Sequence, residues 1–402
     1  MRRFSVSRFV APLCVPMLLL LPARHGDSAD GSNLTRGCVR HFDPSADYFP
    51  DKAILEDAAM FRVEYRRSYK VLTVSGGQPG DRLERHVLVQ CGTPAPPLSG
   101  ELAGADVVMV PVRSVFAFST TQLPLLTDLE RLDVLTGVGQ RDAITDPEIQ
   151  RRIKSGVIVE FARVGLVIDV ERVVAGRPSL FMAGSSSSRS VAAIRAAGIP
   201  VVPNAEWLET TALGRAEWLK YMAVFLNEER RAQSLYGGTK SRYAALAQRA
   251  RAVPPAERPL VMTGRSSRGT FTISGGRSYV ANLIADAGGR YPWKDDTSAG
   301  MITVDIEAQI ARAANADVWI NGGGWKNLQA MLADEPRYSA FKAFRNGRVW
   351  VYERRQTPSG ANDYWSRSVT HPDIVLADLL KIFHSALARD HAFEWYMPVP
   401  GR

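Results

Sequence analysis

The chain reads as an α/β protein of two lobes, each with a mostly parallel sheet flanked by helices, joined by a long helical bridge. Three observations predict this. Apolar strand-like runs alternate with helical stretches from about Ala105, and the alternation restarts at Pro259. That pattern belongs to parallel sheets with helices on their faces. Between the two series lies a helical stretch from Thr211 to Ala252. Finally, one phrase occurs twice: VIDVERVVAGRPSLFMAG at 167–184 and VDIEAQIARAANADVWINGG at 304–323. Both run from a strand end through Asp, an aliphatic residue and Glu into a short amphipathic helix and a second strand. One copy per lobe is the mark of an internal duplication.

Taken in order, residues 1–29 form a signal peptide with an unspecified cleavage point. MRRF supplies a basic start, and the apolar run Phe9–Leu21, broken by Pro12 and Pro16, is too short to span a bilayer. Cys14 sits in mid-run and does not read as a lipidation site. The remainder is expected in the periplasm, an oxidising compartment that leaves Cys38 and Cys91 as one even pair. Their disulfide would stabilise by roughly 3–4 kcal/mol.

Residues 30–104 read as an N-terminal arm followed by a β-hairpin, FRVEYRRSYKVLTVS and RHVLVQCG turning near Gly76-Gly77. The first lobe, 105–210, contains the runs DVVMVPV, SVFAFST, LDVLTGV, GVIVEF and IPVVPN. The bridge, 211–252, would extend about 63 Å as one rod, so a break at Gly237-Gly238 is expected. The second lobe, 253–402, contains PLVMTG, GTFTISG, DVWING, RVWVY and a last helix near Pro372–Arg389.

Charge and motifs exclude several functions. The formal charge is +9, falling to +6 without Arg2, Arg3 and Arg8, and the bases are interspersed with acids. Nucleic acid is therefore not an expected partner. The nearest approach to a nucleophile elbow, Gly184-Ser185-Ser186-Ser187-Ser188, lacks the closing Gly. No G-x-G-x-x-G leads a strand into a helix, and the six histidines never pair at ligand spacing. Neither an enzyme, nor a resident cofactor, nor a protein-held metal is expected.

Several segments together resemble one family. SVFAFSTTQLPLL followed by LDVLTGV, then DVERVVAGRPSLFMAG, TALGRAEWLKYMAVFL and GGRSYVANLIADAGGRYPW are similar in order and spacing to the helical-backbone substrate-binding proteins of ABC importers. These carry iron–siderophores and vitamin B12, and the likeness covers roughly Ala105 to His391. The resemblance implies a monomer that captures a small-molecule chelate between its lobes and delivers it to a membrane permease dimer. It places Glu171 and Glu307 as the docking carboxylates, one per lobe, since a pseudo-two-fold protein meets a two-fold transporter. Acidic residues in a first helical turn are also ordinary helix chemistry. Asp146-Pro147-Glu148, a rival acidic start, reads as a plain helix opening.

The cargo site is expected in the interlobe cleft, at the carboxyl ends of the strands. Its candidates are Ser119, Thr120, Ser187 and Arg189 in the first lobe, and Arg265, Arg268, Tyr279, Trp293, Trp325, Tyr364 and Trp365 in the second. Guanidinium forks with aromatic faces would suit a large, flat, anionic chelate. Trp293 and Trp325 could equally fill the lobe core. An iron–siderophore-like chelate is the expected cargo. A corrinoid or haem, or a scaffold or sensor partner that has lost transport, are the alternatives.

Overall fold

The computed structural model describes residues 31–76, 82–163, 167–185 and 187–401. The expected signal peptide, Gly77 and Ser186 lie outside them. Among the described residues, no helix is long and apolar enough to cross a membrane.

The first lobe is a parallel sheet of five strands in the order Val201–Pro203, Leu180–Ala183, Val115–Ala117, Leu135–Val138, Val159–Glu160. Leu180–Ala183 is buried along its whole length because helices cover both faces, which explains its unbroken apolar sequence. Chain order reverses between Leu180–Ala183 and Val115–Ala117, so the loops after these two strands diverge and leave a crevice. The second lobe has Val261–Thr263, Val318–Ile320 and Val349–Val351 in parallel, with Met397–Pro398 antiparallel at the edge. A separate antiparallel sheet of Arg265–Ser267, Thr270–Ser274 and Met301–Asp305 lies beside it.

The duplicated phrase folds alike both times. Asp169 caps Val170–Gly176 and Asp305 caps Ile306–Ala313, each carboxylate accepting the amide three residues on, at 3.1 and 2.6 Å. The strands Leu180–Ala183 and Val318–Ile320 follow.

The bridge departs from expectation at its break. It consists of Ala212–Ala216, Trp218–Leu226 and Glu229–Arg251. The interruption falls at Asn227, which adopts the left-handed conformation at φ 60°. Gly237 and Gly238 lie inside the third helix, whose 23 residues span about 34 Å. Packing overrides their poor propensity: Ala232 belongs to the first-lobe core, while Tyr243 and Ala247 belong to the second. A single rod is thus rooted in both lobes. Every residue of Trp218–Leu226 is buried, Lys220 included.

The N-terminal region is more than a hairpin. Phe61–Tyr65, Tyr69–Ser75 and Leu83–Gln90 form an antiparallel meander, and Asp106–Val110 adds to it in parallel, with His86 opposite Asp106 and Gln90 opposite Val110. DVVMV, expected in the lobe sheet, belongs here instead; the stretch TPAPPLSG carries the crossover that a parallel partner requires. The arm is held by buried carboxylates. Glu217 accepts the amides of Glu56, Asp57 and Ala58 at 2.7–3.0 Å, and Glu209 those of Ala59 and Met60 at 3.0–3.1 Å. Lys70 is fully buried against Glu229, donating also to Asn227 and the Val224 carbonyl. Cys38 and Cys91 form a disulfide with Cα atoms 4.6 Å apart, tying the arm to the sheet.

His86 lies at the seam between this sheet and the helix Arg189–Ala196. The ring is buried, and neither nitrogen has a hydrogen-bond partner. Burial, aided by the charge of Arg195, holds its pKa down to about 3. The nearby carboxylates of Glu84 and Asp106, 3.6 and 3.8 Å from the ring, are already engaged by Arg195. The folded state therefore binds this proton less readily than the unfolded chain. The neutral ring's contribution to stability is complete above the unfolded pKa near 6.5 and is lost as pH falls toward 3. Acid unfolding should steepen by up to about 1.4 kcal/mol per pH unit in that window. A His86→Leu variant, followed by urea titration at several pH values, should lose this slope.

Candidate ligand cleft

The crevice between the lobes has a volume of about 550 Å³, within the range that holds a bulky small molecule. Each of its walls is set by local structure. After Val115–Ala117 the chain turns at Ser119, whose hydroxyl accepts from Thr121 N at 3.3 Å while its own amide donates to Gln122 Oε1 at 3.3 Å. After Val201–Pro203, Asn204 Oδ1 accepts the Glu206 amide and starts the short turn Glu206–Leu208. Arg215 comes from the first bridge helix, which Thr211 caps by accepting from Gly214 N at 2.9 Å. Tyr279 opens the helix Tyr279–Asp286 behind its cap Ser278.

Tyr364 and Trp365 come from Tyr364–Arg367, a single turn pinned from both sides. Asp363 before it accepts from Trp395 Nε1 at 3.0 Å and from the first-lobe Thr145 hydroxyl at 3.0 Å. Ser366 donates to the Thr120 carbonyl at 3.1 Å. The last two bonds cross from lobe to lobe, fastening the cleft at one flank.

The second-lobe wall is aromatic. Tyr352 and Tyr364 stack at 4.5 Å with planes 12° apart, and Trp365 stands edge-on to both at 5.1 and 5.3 Å. Trp365 remains 47% exposed and Trp207, from the first lobe, 40%. Large indoles left open on a shared cleft mark a surface that awaits a partner. Burial pushes the Tyr352 and Tyr364 phenols up, so they stay neutral donors. Arg215 and Glu206 form a buried pair at 3.5 Å, and the guanidinium lies 4.2 Å from the Tyr279 ring centre. Burial raises the Glu206 carboxyl even against this cation. Burial opposes the Arg215 charge as well, but Tyr279 and Glu206 outweigh it. Arg215 Nε has no hydrogen-bond partner.

A neighbouring recess of about 560 Å³ shares Tyr352 and Trp365 with the cleft and is also lined by Thr120, Arg265 and the loop Gly322–Gly324. A larger recess of about 720 Å³ lies by Arg354, Arg355 and Arg367. There Arg355 and Arg367 are paired with Asp363 and Glu394 at 3.1–3.5 Å.

Of the residues expected at the site, Ser119, Tyr279, Tyr364 and Trp365 line the cleft, and Thr120 and Arg265 line the adjoining recess. Five lie elsewhere. Ser187 is exposed and bonds to Ser185, and Arg189 opens a helix pointing to solvent. Arg268 sits at a hairpin tip with φ 53°. Trp293 donates to Gln309 at 2.7 Å beneath Arg312. Trp325 is core: its indole donates to Asp334 at 3.1 Å and packs on Trp319 and Tyr338. Sequence reasoning missed Glu206, Trp207, Arg215 and Tyr352. Arg215 and Glu206 had one visible signal, charges set inside the apolar stretches NAEWLE and ALGRAEW.

Glu171 and Glu307 both occupy the first turn of their helices and are exposed. Glu307 pairs with Arg337 at 2.6 Å; Glu171 has no ion pair among the described residues. Because the preceding Asp performs the capping in both cases, neither glutamate is needed for it. Glu148 differs, being paired with Arg151 and Arg152 on its own helix. Among the described residues, no three His, Cys, Asp or Glu side chains gather in a way that could hold a metal ion.

The sequence profile described as "periplasmic binding protein" matches residues 158–355. Two uncharacterized lipoproteins of Methanocaldococcus jannaschii are 26% identical over 329 residues and 23% over 328, covering 79% and 78% of this chain and 75% and 80% of their own. Among solved structures, a possible iron-binding periplasmic solute-binding protein of Staphylococcus epidermidis superposes with a TM-score of 0.53 at 17% identity, over 68% of this chain and 99% of its own. A periplasmic heme-binding protein of Pseudomonas aeruginosa gives 0.51 at 16%, over 68% and 94%. A Helicobacter pylori protein solved as a nickel–histidine complex gives 0.54 at 13%, over 70% and 86%. These likenesses establish the two-lobed fold.

Proposed function

We propose a capture-and-delivery role for this chain, whose residues 158–355 match the periplasmic binding protein profile. An iron–siderophore-like chelate enters the interlobe cleft, and the loaded protein docks on an ABC permease dimer through Glu171 and Glu307. The observation that carries this reading is the pair of open indoles, Trp207 and Trp365, on opposite sides of a cleft floored by tyrosines. Ring faces cover an apolar ligand surface, and neutral phenols donate to oxygens that hold the metal. The chelate brings its own metal ligands, so none need converge from the protein. The helix Glu229–Arg251, rooted in both cores, favours a preformed pocket over a wide hinge motion.

A corrinoid or haem is a second reading, favoured by the flat stacked face of Tyr352 and Tyr364 and by neighbours named for heme binding. Quenching of the intrinsic fluorescence of the eight tryptophans by a panel of ferric siderophores, corrinoids and haem tests both readings. A saturable quench by one class, much reduced in Trp365→Phe, is expected. No quench by any member would leave a scaffold or sensor role instead.

A further inference from the structure

Arginines spread through both lobes make an anionic chelate the natural expectation from sequence, but the cleft is built otherwise. Arg189 and Arg268 are away from it, and Arg265, in the adjoining recess, is paired with Asp334 at 2.8 Å. Among the described residues that line the cleft, the only charged side chains are Arg215 and Glu206, one of each sign, already facing each other at 3.5 Å. Everything else there is aromatic, hydroxyl, amide or apolar. The adjoining recess adds Asp142 and Glu353 against the single Arg265, so it supplies no surplus positive charge either.

We infer that the cleft selects a chelate without net negative charge, and that Glu206 is the residue that sets this preference. The inference rests on the capture role proposed above. The physical argument is one of competition. An anionic group reaching Arg215 must either displace Glu206, leaving a buried carboxylate unpaired, or share the guanidinium with it at close range. Both cost more than a surface ion pair returns. A neutral ligand meets no such penalty. It leaves the pair intact and gains ring contacts and phenol donors. Specificity thus comes from a built-in repulsion as much as from attraction.

The test is a fluorescence titration of the full chain with two ferric chelates of similar bulk, a neutral trihydroxamate and a highly anionic tricatecholate. The wild-type protein should bind the neutral complex at least about tenfold more tightly, with little dependence on salt. In Glu206→Gln the affinity for the anionic complex should rise about tenfold or more, while that for the neutral one shifts by less than about threefold. Because the wild-type comparison needs no variant, a misfolded Glu206→Gln would not remove the test. Tighter wild-type binding of the anionic chelate would overturn the inference and leave the capture role standing. Failure of both chelates, and of corrinoids and haem, would remove the capture role and this inference together.

Discussion

Replacing Glu217 by glutamine is expected to lower the unfolding free energy by about 3–5 kcal/mol. The carboxylate is fully buried and carries four partners: the amides of Glu56, Asp57 and Ala58, and the Lys220 ammonium at 2.7 Å. A carboxylate can accept all four because both oxygens are acceptors. An amide of identical shape turns one acceptor into a donor facing other donors, and it takes from the buried Lys220 its nearer counter-ion, leaving only Glu56 at 3.6 Å. The arm would then lose its main attachment to the bridge. The urea midpoint should fall accordingly, and the stretch around 52–60 should become sensitive to protease in the otherwise folded protein. An unchanged midpoint would mean that the arm contributes nothing to the bridge.

The second large effect concerns delivery. Changing Glu171 and Glu307 together to lysine should reduce permease affinity at least about a hundredfold, at roughly 1.5 kcal/mol or more per carboxylate, and should abolish uptake. Cargo affinity measured by tryptophan quenching should not change, since neither residue lines the cleft. Of the single changes, Glu171→Lys should cost more, because Glu307 must first be released from Arg337. Full uptake by the double variant would remove the docking role.

The parts of the architecture governed by periodicity were legible in the chain. Alternating apolar runs fixed the two lobes, and the repeated Asp-x-Glu phrase located equivalent helices whose caps are indeed the aspartates. What escaped was decided by long-range contacts. Asp106–Val110 has the composition of any buried parallel strand, and nothing local says that its partner is Leu83–Gln90. Gly237-Gly238 reads as a break, yet the helix continues because residues on either side of it are rooted in different cores. At the cleft, Tyr279, Tyr364 and Trp365 could be found because they follow the strands whose ends open there. Trp325 shows the limit of that reasoning: it follows a strand end too, but Gly322 leaves room for its ring, which folds back into the core; a Cβ at that glycine would lie 2.1 Å from the indole. Arg215 hid within the bridge, where apolar neighbours suggested packing alone.

A crystal structure of the protein soaked with whichever chelate quenches its fluorescence most strongly addresses the capture role directly. The guest should lie against Trp365, Tyr364 and Tyr279, with Trp207 across from them and the Arg215–Glu206 pair intact beneath it. Density for the guest beside Arg354 and Arg367, with the aromatic cleft empty, would contradict the account.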